Sequence, residues 1–527
     1  MKRTIIIVLV IFLVSAFFTT SFASTLISHT DNPSAIHVPS GYKVEVYASD
    51  VSVPTTAIFD GNDLIVAESG AEKTAQPRVI RIKPSGQQEI LASTGLLPPV
   101  TGLLMVKGRL YISHETKISY VENGILHDIL TDLPSLGDHE NNKMALGSDG
   151  RIYFGQGTVT NSGVVGLDNF AFGWLQKHTT IHDTPCQDIT LNGENFTTNS
   201  PLSSPSGKVI TGAYHSYGQE SRPGEVIKGN PKCNGAILSV NPDGSDLQVV
   251  AWGMRNPFGV AVDTSGQLWT TYHGADERGS RNIANDPDYL VKVQQGAWYG
   301  WPDFFNGKPA NEMTDPLKPQ APLLLKTHPQ LSTPYLTFPS HSAANGLVFS
   351  PGGIFGYDGQ AFVAEYGTYS ILTSGVNITL PGFKIVSVNL QDKSIQDFAS
   401  NMLPGPAYLN QSGGLNRPSD VLFGPDNSMY VIDWGASTIG TEGLKYVPES
   451  GTIWRIYASS QKALRPNGPI NINSTNARIP ENKREAQVVN NPAVYAMLAP
   501  QLVVLGVIGI AIVIVIMGII FFLKRDK

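Results

Sequence analysis

Apolar and polar residues alternate over short stretches along most of the chain, and a turn that contains glycine or asparagine precedes each stretch. This pattern recurs six times, at residues 60–70, 107–115, 148–157, 264–274, 357–367 and 425–435. Alternation with a period of two predicts a strand with one buried face, and the turn before it predicts a tight hairpin. Helical periodicity is scarce, and 52 Gly and 36 Pro also favour short strands and turns.

Six copies of one hairpin predict an all-β fold, a six-bladed β-propeller over residues 37–458. A pair of β-sandwiches is the alternative, but it does not explain six copies of the same unit. Residues 158–231 and 304–341 interrupt the spacing and are rich in Pro, Ser and Asn. We interpret them as insertions on one face of the ring.

Both ends of the chain are typical of an exported, membrane-anchored protein. Residues 1–23 combine Lys2 and Arg3 with an apolar run and a Ser-Phe-Ala end, which predicts a signal peptide, with an uncleaved anchor as the alternative. Residues 501–523 predict a transmembrane helix, and the basic tail at 524–527 marks its cytoplasmic side. The polar segment 459–500 reads as a stalk. We expect a single-pass protein of the cell membrane whose propeller is extracellular or periplasmic.

Charge and cysteine content narrow the possible functions. A net charge of −6 with 15% charged residues leaves no basic face for nucleic acid. The two cysteines, Cys186 and Cys233, predict a disulfide, because an isolated pair in an oxidising compartment is more often a disulfide than a metal or redox site. No Cys-x-x-Cys-His occurs, which excludes covalently bound haem.

Three residues that precede hairpin copies could carry chemistry. His139 comes just before the third copy, where loops open toward a propeller's central channel, and a histidine there can act as a general base. Arg255 and Asn256 precede the fourth copy, and a cation beside an amide suits an anionic or carbonyl-rich ligand. A surface histidine and an arginine in a structural salt bridge are the alternatives.

An acidic loop follows the fourth copy and predicts a cation site. Its carboxylates are Asp276, Glu277, Asp286 and Asp288. Such an oxygen-rich loop suits calcium, although the EF-hand register is absent. Pairing of these carboxylates with Arg278 and Arg281 is the alternative. Arg417 precedes the sixth copy as Arg255 precedes the fourth, so we expect both at the same end of the channel.

Taken in order, these motifs resemble the glucose/sorbosone dehydrogenase family. They are Asp-His before Ser-Asp-Gly, GAILSVNPDG, WGMRNPFG, HGADERG with NDPDYL, GAWYGWPDF and NRPSDVLFGPDNSMYV. The resemblance runs from about residue 41 to 457. It implies a six-bladed quinoprotein that oxidises an aldose or related sugar with pyrroloquinoline quinone (PQQ) and calcium, and passes electrons to a separate acceptor that could itself be membrane-bound.

The resemblance also implies roles for individual residues. His139 would take the proton from the anomeric hydroxyl while hydride moves to the quinone. Arg255 would polarise the quinone carbonyl, where a cation stabilises developing negative charge, and Asn256 would bind the cofactor. The Arg417 guanidinium would bind a cofactor carboxylate. Gly274, through its carbonyl, and Asp288 would ligate calcium.

The chain departs from the family pattern at two places. The family's second arginine, two residues beyond Arg417, is Ser419 here, and no lysine stands just before Pro381, with Lys384 displaced. Fewer cations predict weaker cofactor binding. Two other readings therefore stand beside the dehydrogenase: a non-enzymatic surface propeller that binds a glycan or protein, and a calcium-dependent hydrolase of the lactonase kind.

Overall fold

The computed structural model describes residues 31–69, 76–200, 207–313, 320–324, 328–368, 380–440 and 443–472. Six sheets of four or five strands, antiparallel except for one short edge strand, form a ring in which the first strand of each sheet packs beside the first strands of its two neighbours. The prediction of an all-β, six-bladed propeller is confirmed. The predicted signal peptide and transmembrane helix lie outside the described residues, and among those described no helix is both long and apolar enough to span a bilayer.

The strands are numbered in chain order. Two precede the first blade: β1 (Ile36–His37) and β2 (Tyr42–Val51). Blade 1 contains β3 (Pro54–Asp60), β4 (Asp63–Glu68), β5 (Arg78–Ile82) and β6 (Gln88–Ala92). Blade 2 contains β7 (Val100–Val106), β8 (Arg109–His114), β9 (Lys117–Glu122) and β10 (Ile125–Leu130).

Blades 3 and 4 carry the insertions. Blade 3 contains β11 (Asn141–Leu146), β12 (Ile152–Gln156), β17 (Ala236–Val240) and β18 (Gln248–Trp252). Its insertion contains α1 (Leu167–Ala171), α2 (Trp174–Lys177), β13 (Ile189–Thr190), β14 (Asn195–Asn199), β15 (Lys208–Gly212) and β16 (Val226–Ile227). Blade 4 contains β19 (Asn256–Val262), β20 (Leu268–His273), β21 (Asp288–Lys292) and β24 (Leu336–Phe338), with β22 (Phe304–Phe305), β23 (Lys308–Pro309) and a 3₁₀ turn (Ala310–Glu312) inserted before β24.

The last two blades complete the ring. Blade 5 contains β25 (Ala344–Phe349), β26 (Ala361–Glu365), β27 (Lys384–Val388) and β28 (Ile395–Asn401), followed by α3 (Ala407–Asn410). Blade 6 contains β29 (Pro418–Phe423), β30 (Met429–Asp433) and β33 (Gly451–Ala458), with the hairpin of β31 (Ser437–Gly440) and β32 (Gly443–Tyr446) between the last two. The chain's first strands close these blades, because β2 pairs with β33 and β1 with β28. Strand β34 (Ile470–Asn471), within the segment expected as stalk, pairs with β2.

The hairpin in blade 4 shows how the repeated sequence folds. The Asp263 carboxylate accepts the backbone N–H groups of Ser265 at 2.8 Å and Gln267 at 3.0 Å. Gly266 has φ +84°, which glycine adopts without a Cβ penalty, and its N–H donates to the Asp263 carbonyl at 2.9 Å. The turn therefore joins β19 to β20 tightly, and one face of each strand is left to pack in the ring.

Buried apolar residues collect at the junctions between neighbouring blades. One cluster, for example, joins Ile65 and Val79 of blade 1 to Leu103 and Ile112 of blade 2. Burying each such side chain contributes roughly 1.5–3 kcal/mol, so the junctions supply most of the stabilisation that holds the ring closed. Polar contacts cross the centre of the ring, where Lys143 of β11 pairs with Asp420 of β29 on the opposite side.

The second strand of every blade ends in a polar residue on the same face of the ring. These residues are Glu68, His114, Gln156, His273, Glu365 and Asp433. In blade 6 the Asp433 carboxylate accepts the N–H groups of Asn416 at 2.7 Å and Arg417 at 2.8 Å, just before β29 begins. We call this face, where first strands begin and second strands end, the mouth.

In the part of the chain that the structure describes, the insertions add no further blade. A disulfide joins Cys186 in the first insertion to Cys233 just before β17, across 47 positions of sequence. The second insertion packs against the first, since the Asn192 N–H donates to the Leu323 carbonyl at 2.8 Å. The first insertion leaves and rejoins blade 3 at the mouth and so borders the candidate site.

Candidate active site at the channel mouth

His139 lies at the mouth, two residues before β11. Its Nδ1 is 2.8 Å from the carbonyl oxygen of Thr158. A carbonyl can only accept, so Nδ1 carries the proton and Nε2 keeps the lone pair. Only 9% of the residue is exposed, and burial together with the nearby Arg255 and Arg278 guanidinium groups holds the pKa of His139 well below its usual value. The imidazole is therefore neutral at physiological pH and oriented as a base.

Arg255 precedes β19 and is buried. Its Nη1 donates to the carbonyl oxygen of Gly274 at 2.7 Å, and its Nη2 to the Asp276 carboxylate at 2.7 Å. Its Nε is buried and hydrogen-bonds to none of the described residues. The guanidinium is fixed in place by two bonds and retains one unused donor.

A ladder of amide and imidazole groups joins blades 3, 4 and 5. Asn142 Nδ2 donates to Asn256 Oδ1 at 2.8 Å, and Asn256 Nδ2 donates to His273 Nδ1 at 3.1 Å. His273 Nε2 then donates to Asn345 Oδ1 at 2.6 Å. Both ring nitrogens of His273 are used, and burial lowers its pKa. His273 therefore orients Asn256.

Gly157, at the end of the third hairpin copy, brings His139 and Asn256 together. A Cβ at this position would lie 2.3 Å from His139 Cβ and 2.6 Å from Asn256 Oδ1. Gly157 is not among the residues that the sequence predicts for the site. The one feature of the sequence that could have indicated Gly157 is its position: it is the last residue of the third hairpin copy, and His139 lies in the loop just before that copy.

Asp276 links three cationic groups at the mouth. Its carboxylate contacts Arg255 at 2.7 Å, Arg278 at 3.0 Å and His341 at 3.3 Å. Burial alone would raise its pKa, but Arg255, His341 and Arg278 hold the pKa of Asp276 well below its usual range. The same bond to Asp276 raises the pKa of His341. Asp276 is therefore ionised and occupied by protein cations.

Arg278 ties the first insertion to the His139 loop. Its guanidinium contacts Asp138 at 2.7 Å and Asp168 of α1 at 2.6 Å, in addition to Asp276. Asp138 directly precedes His139 in the sequence. These ion pairs confirm the alternative reading of the acidic loop for Arg278, whereas Arg281 pairs with Asp303 at 2.9 Å.

The predicted calcium ligands are both engaged by protein donors. The Gly274 carbonyl accepts Arg255. The Asp288 carboxylate accepts Gly274 N at 2.9 Å, Ser342 Oγ at 2.8 Å and Ala344 N at 3.2 Å. Within the described residues, no group of three or more His, Cys, Asp or Glu side chains is placed to hold a metal. Because a guanidinium stands where the cation would bind the carbonyl, this arrangement does not fit calcium, and we derive no step through it.

Arg417 lies before β29 in blade 6, on the side of the mouth opposite blade 3. Its Nη1 donates to the Gly367 carbonyl at 3.1 Å, and its guanidinium stacks over Tyr366 at 5.1 Å and Phe383 at 5.2 Å. Ser419, in contrast, donates to the Pro54 carbonyl at 3.0 Å, inside the junction with blade 1. The Ser419 side chain is therefore buried between blades 6 and 1.

The mouth residues fit an anionic, carbonyl-bearing cofactor. The unused Nε of buried Arg255 can donate to a carbonyl oxygen, and Asn256 is held beside it by the amide ladder. Arg417 presents a second guanidinium from across the ring. Lys384 is paired with Asp397 at 2.6 Å, and its Nζ lies 4.0 Å from the Glu365 carboxylate.

Several solved structures share this fold. A Trichoderma reesei structure of carbohydrate-active enzyme family AA12 superposes with a TM-score of 0.50 at 15% identity, over 82% of this chain and 99% of that chain. The holo form of the pyranose dehydrogenase PQQ domain from Coprinopsis cinerea gives a TM-score of 0.50 at 14% identity, over 80% and 97%. At such identities the likeness shows the fold alone.

Two sequence comparisons show similarity to one family. The glucose/sorbosone dehydrogenase family profile matches residues 215–379. Quinoprotein glucose dehydrogenase B of Acinetobacter calcoaceticus is 27% identical over 176 residues, which cover 33% of this chain and 28% of that protein. The matched family segment contains the Arg-Asn-Pro element and the acidic loop of the mouth. The resemblance to the glucose/sorbosone dehydrogenase family, expected from the order of the motifs, is thereby confirmed.

Proposed function

We propose that this protein is a PQQ-dependent dehydrogenase that oxidises an aldose or a related sugar at its anomeric carbon. The observation that carries the proposal is the pairing of a neutral, oriented imidazole with a fixed guanidinium at the mouth. His139 Nε2 has its lone pair available, and Arg255 retains an unused donor. The family match over residues 215–379 supplies the substrate class.

In this proposal His139 acts as the general base. Its Nε2 takes the proton of the anomeric hydroxyl, and the Thr158 carbonyl stabilises the imidazolium that results through the Nδ1–H bond. Bound PQQ would supply the acceptor for the hydride that leaves the anomeric carbon. The C–OH becomes C=O, so one proton and one hydride leave the sugar. The low pKa of His139 keeps the base unprotonated before the reaction.

The cations would hold the cofactor and stabilise charge. Arg255 is oriented by Gly274 and Asp276 before any ligand binds, so little reorganisation is needed when negative charge develops on a carbonyl oxygen beside it. Asn256 would bind the cofactor, and Arg417 would bind one of its carboxylates. Since Ser419 carries no charge and Lys384 is already paired with Asp397, we expect weaker binding than the family pattern implies.

Calcium, the acceptor and the location remain predictions. A calcium ion at Gly274 and Asp288 would require Arg255 to release the carbonyl, and comparison of activity with added calcium and with chelator tests it. We propose a separate electron acceptor and a propeller that faces outward from the membrane. The disulfide is compatible with an oxidising compartment, and protease accessibility in intact cells tests the orientation.

Reconstitution tests the proposed activity. The propeller would be mixed with PQQ, with and without calcium, and assayed for aldose-dependent reduction of an artificial dye. We expect activity that falls roughly 100- to 10,000-fold in His139→Gln, the range of general-base contributions. His127→Gln is the matched control, because His127 is exposed on the outer strand β10.

Negative results separate the alternatives. No dye reduction with any aldose, together with no quinone absorbance after gel filtration, refutes the proposal. Glycan or protein binding under those conditions would favour the non-enzymatic propeller. Lactone turnover without added quinone would favour the hydrolase.

A further inference from the structure

Phe172 is a large aromatic side chain exposed at the mouth. It follows α1, and 55% of its surface is accessible. Its neighbours Phe170 and Trp174 are buried in the small core of the insertion with Leu175. A ligand that covered the exposed part of this phenyl group would recover hydrophobic free energy.

The two short helices around Phe172 are fastened to the His139 loop. Asn169 Nδ2 of α1 donates to Asp138 Oδ1 at 3.0 Å, and Trp174 Nε1 of α2 donates to the same oxygen at 2.7 Å. Between these anchors, the Phe172 N–H donates to the Asp168 carbonyl at 2.9 Å. Since Asp138 precedes His139, the position of the phenyl ring is fixed relative to the proposed base.

Arg278 covers one side of the ring. Its guanidinium carbon lies 4.6 Å from the ring centroid, and its nitrogens are held by Asp138, Asp168 and Asp276. A guanidinium that is fixed by three carboxylates fixes the ring in turn. The other side of the phenyl group remains available to a ligand. The Arg278 guanidinium lies between the Phe172 ring and two carboxylates, Asp138 next to His139 and Asp276 beside Arg255. The ring is therefore farther from the reacting position than these carboxylates are.

We propose that Phe172 is the stacking platform for a second sugar ring, the one linked to the aldose that reacts at His139. The apolar C–H face of a pyranose is complementary to the face of an aromatic ring. The substrate class would then be a reducing disaccharide or longer oligosaccharide with its reducing end at His139. This inference rests on the proposed function for the sugar that reacts at His139. For the second sugar ring it rests on the position of Phe172 in the insertion of blade 3.

Kinetics with matched substrates test the platform. Phe172→Ala and Phe172→Trp would be assayed with glucose and with its β-1,4-linked disaccharide. We expect Phe172→Ala to raise the disaccharide KM about 3- to 10-fold, which corresponds to about 0.7–1.4 kcal/mol, with kcat and the glucose KM within about twofold. Phe172→Trp should keep the disaccharide KM. Leu146→Ala is the control, since Leu146 is 37% exposed at the opposite end of β11.

A binding measurement separates this inference from the proposed function. Calorimetric titration of the cofactor-free protein with the disaccharide needs no turnover. If no aldose is oxidised, the dehydrogenase proposal fails, yet weaker disaccharide binding by Phe172→Ala still supports the platform. Equal effects on glucose and disaccharide, no effect on either, or the same loss in Leu146→Ala overturns it.

Discussion

Replacement of Gly157 by alanine should displace the proposed base without changing any reacting group. The new Cβ would lie 2.3 Å from His139 Cβ, whereas ordinary van der Waals contact begins at 3.4 Å. The backbone of Gly157 cannot easily move away. Its N–H donates to the Glu140 carbonyl at 2.9 Å, and its carbonyl accepts Asn234 Nδ2 at 2.9 Å. His139 therefore has to shift by about 1.1 Å, the difference between the two Cβ distances.

That displacement sets the expected loss. Misplacement of a catalytic group by about 1 Å can lower the rate roughly 100-fold. Overpacking should also destabilise the fold by about 1–3 kcal/mol. We therefore expect Gly157→Ala to fold, with a small decrease in its urea midpoint, and to lose about two orders of magnitude in kcat/KM. Gly207→Ala is the control, because a Cβ there meets nothing within 4 Å.

The assay is aldose-dependent dye reduction by the reconstituted protein, with PQQ binding followed by absorbance. A double variant tests the cause: if Gly157→Ala acts through His139, adding it to His139→Gln should cost almost nothing further. Two results refute the reasoning. One is kcat/KM within threefold of the unmodified protein, and the other is full additivity of the two substitutions.

Three further predictions concern stability. Lys143→Met leaves the fully buried Asp420 carboxylate without its cation and should cost about 3–5 kcal/mol in urea unfolding. Lys228→Met removes an exposed pair and should leave the urea midpoint nearly unchanged, so equal losses contradict this prediction. Burial raises the pKa of Glu365 from 4.5 to about 8. Between those pH values the folded state holds a proton that the unfolded chain releases, so the free energy of unfolding falls as the pH rises. Glu365→Gln should make that fall shallower, and an unchanged slope between pH 5 and pH 8 contradicts this prediction. Cys186→Ser opens a loop of 47 residues and should cost about 4 kcal/mol on chain-entropy grounds, with an unchanged urea midpoint as the contrary result.

The ring was predictable because its information is local and repeated. A Gly-containing turn followed by alternation specifies one hairpin, and six copies specify six blades, as the hairpin at Asp263–Gly266 shows. The closure of blade 6 by β2 was not predictable from local pattern. Its pairing partner β33 lies at the other end of the ring, and alternation carries no information on which strand a distant strand joins.

The candidate site also contains features that the sequence predicts and features that it does not. His139, Arg255 and Asn256 occupy the starts of neighbouring first strands, so the repeat alone places them at one mouth, and Gly157 brings His139 and Asn256 into contact. The Arg278 bridge to Asp138 spans 140 positions and depends on how the insertion folds. The Gly274 carbonyl accepts the Arg255 guanidinium, and the spacing of residues in the sequence does not show whether such a carbonyl binds a metal or a side chain.

Departures from the repeat indicate where function has been added to the ring. In blades 1, 2 and 6 the polar residue that ends the second strand accepts a backbone N–H of its own blade: Glu68 from Ser52, His114 from Leu97 and Asp433 from Asn416. In blade 4 the ring nitrogens of His273 bond instead to Asn256 and to Asn345 of blade 5. The N–H groups near Gly274 are then satisfied by Asp288, whose carboxylate also fixes Ser342. In blade 4 the residue that ends the second strand therefore orients Asn256, and the next residue, Gly274, holds Arg255 through its carbonyl.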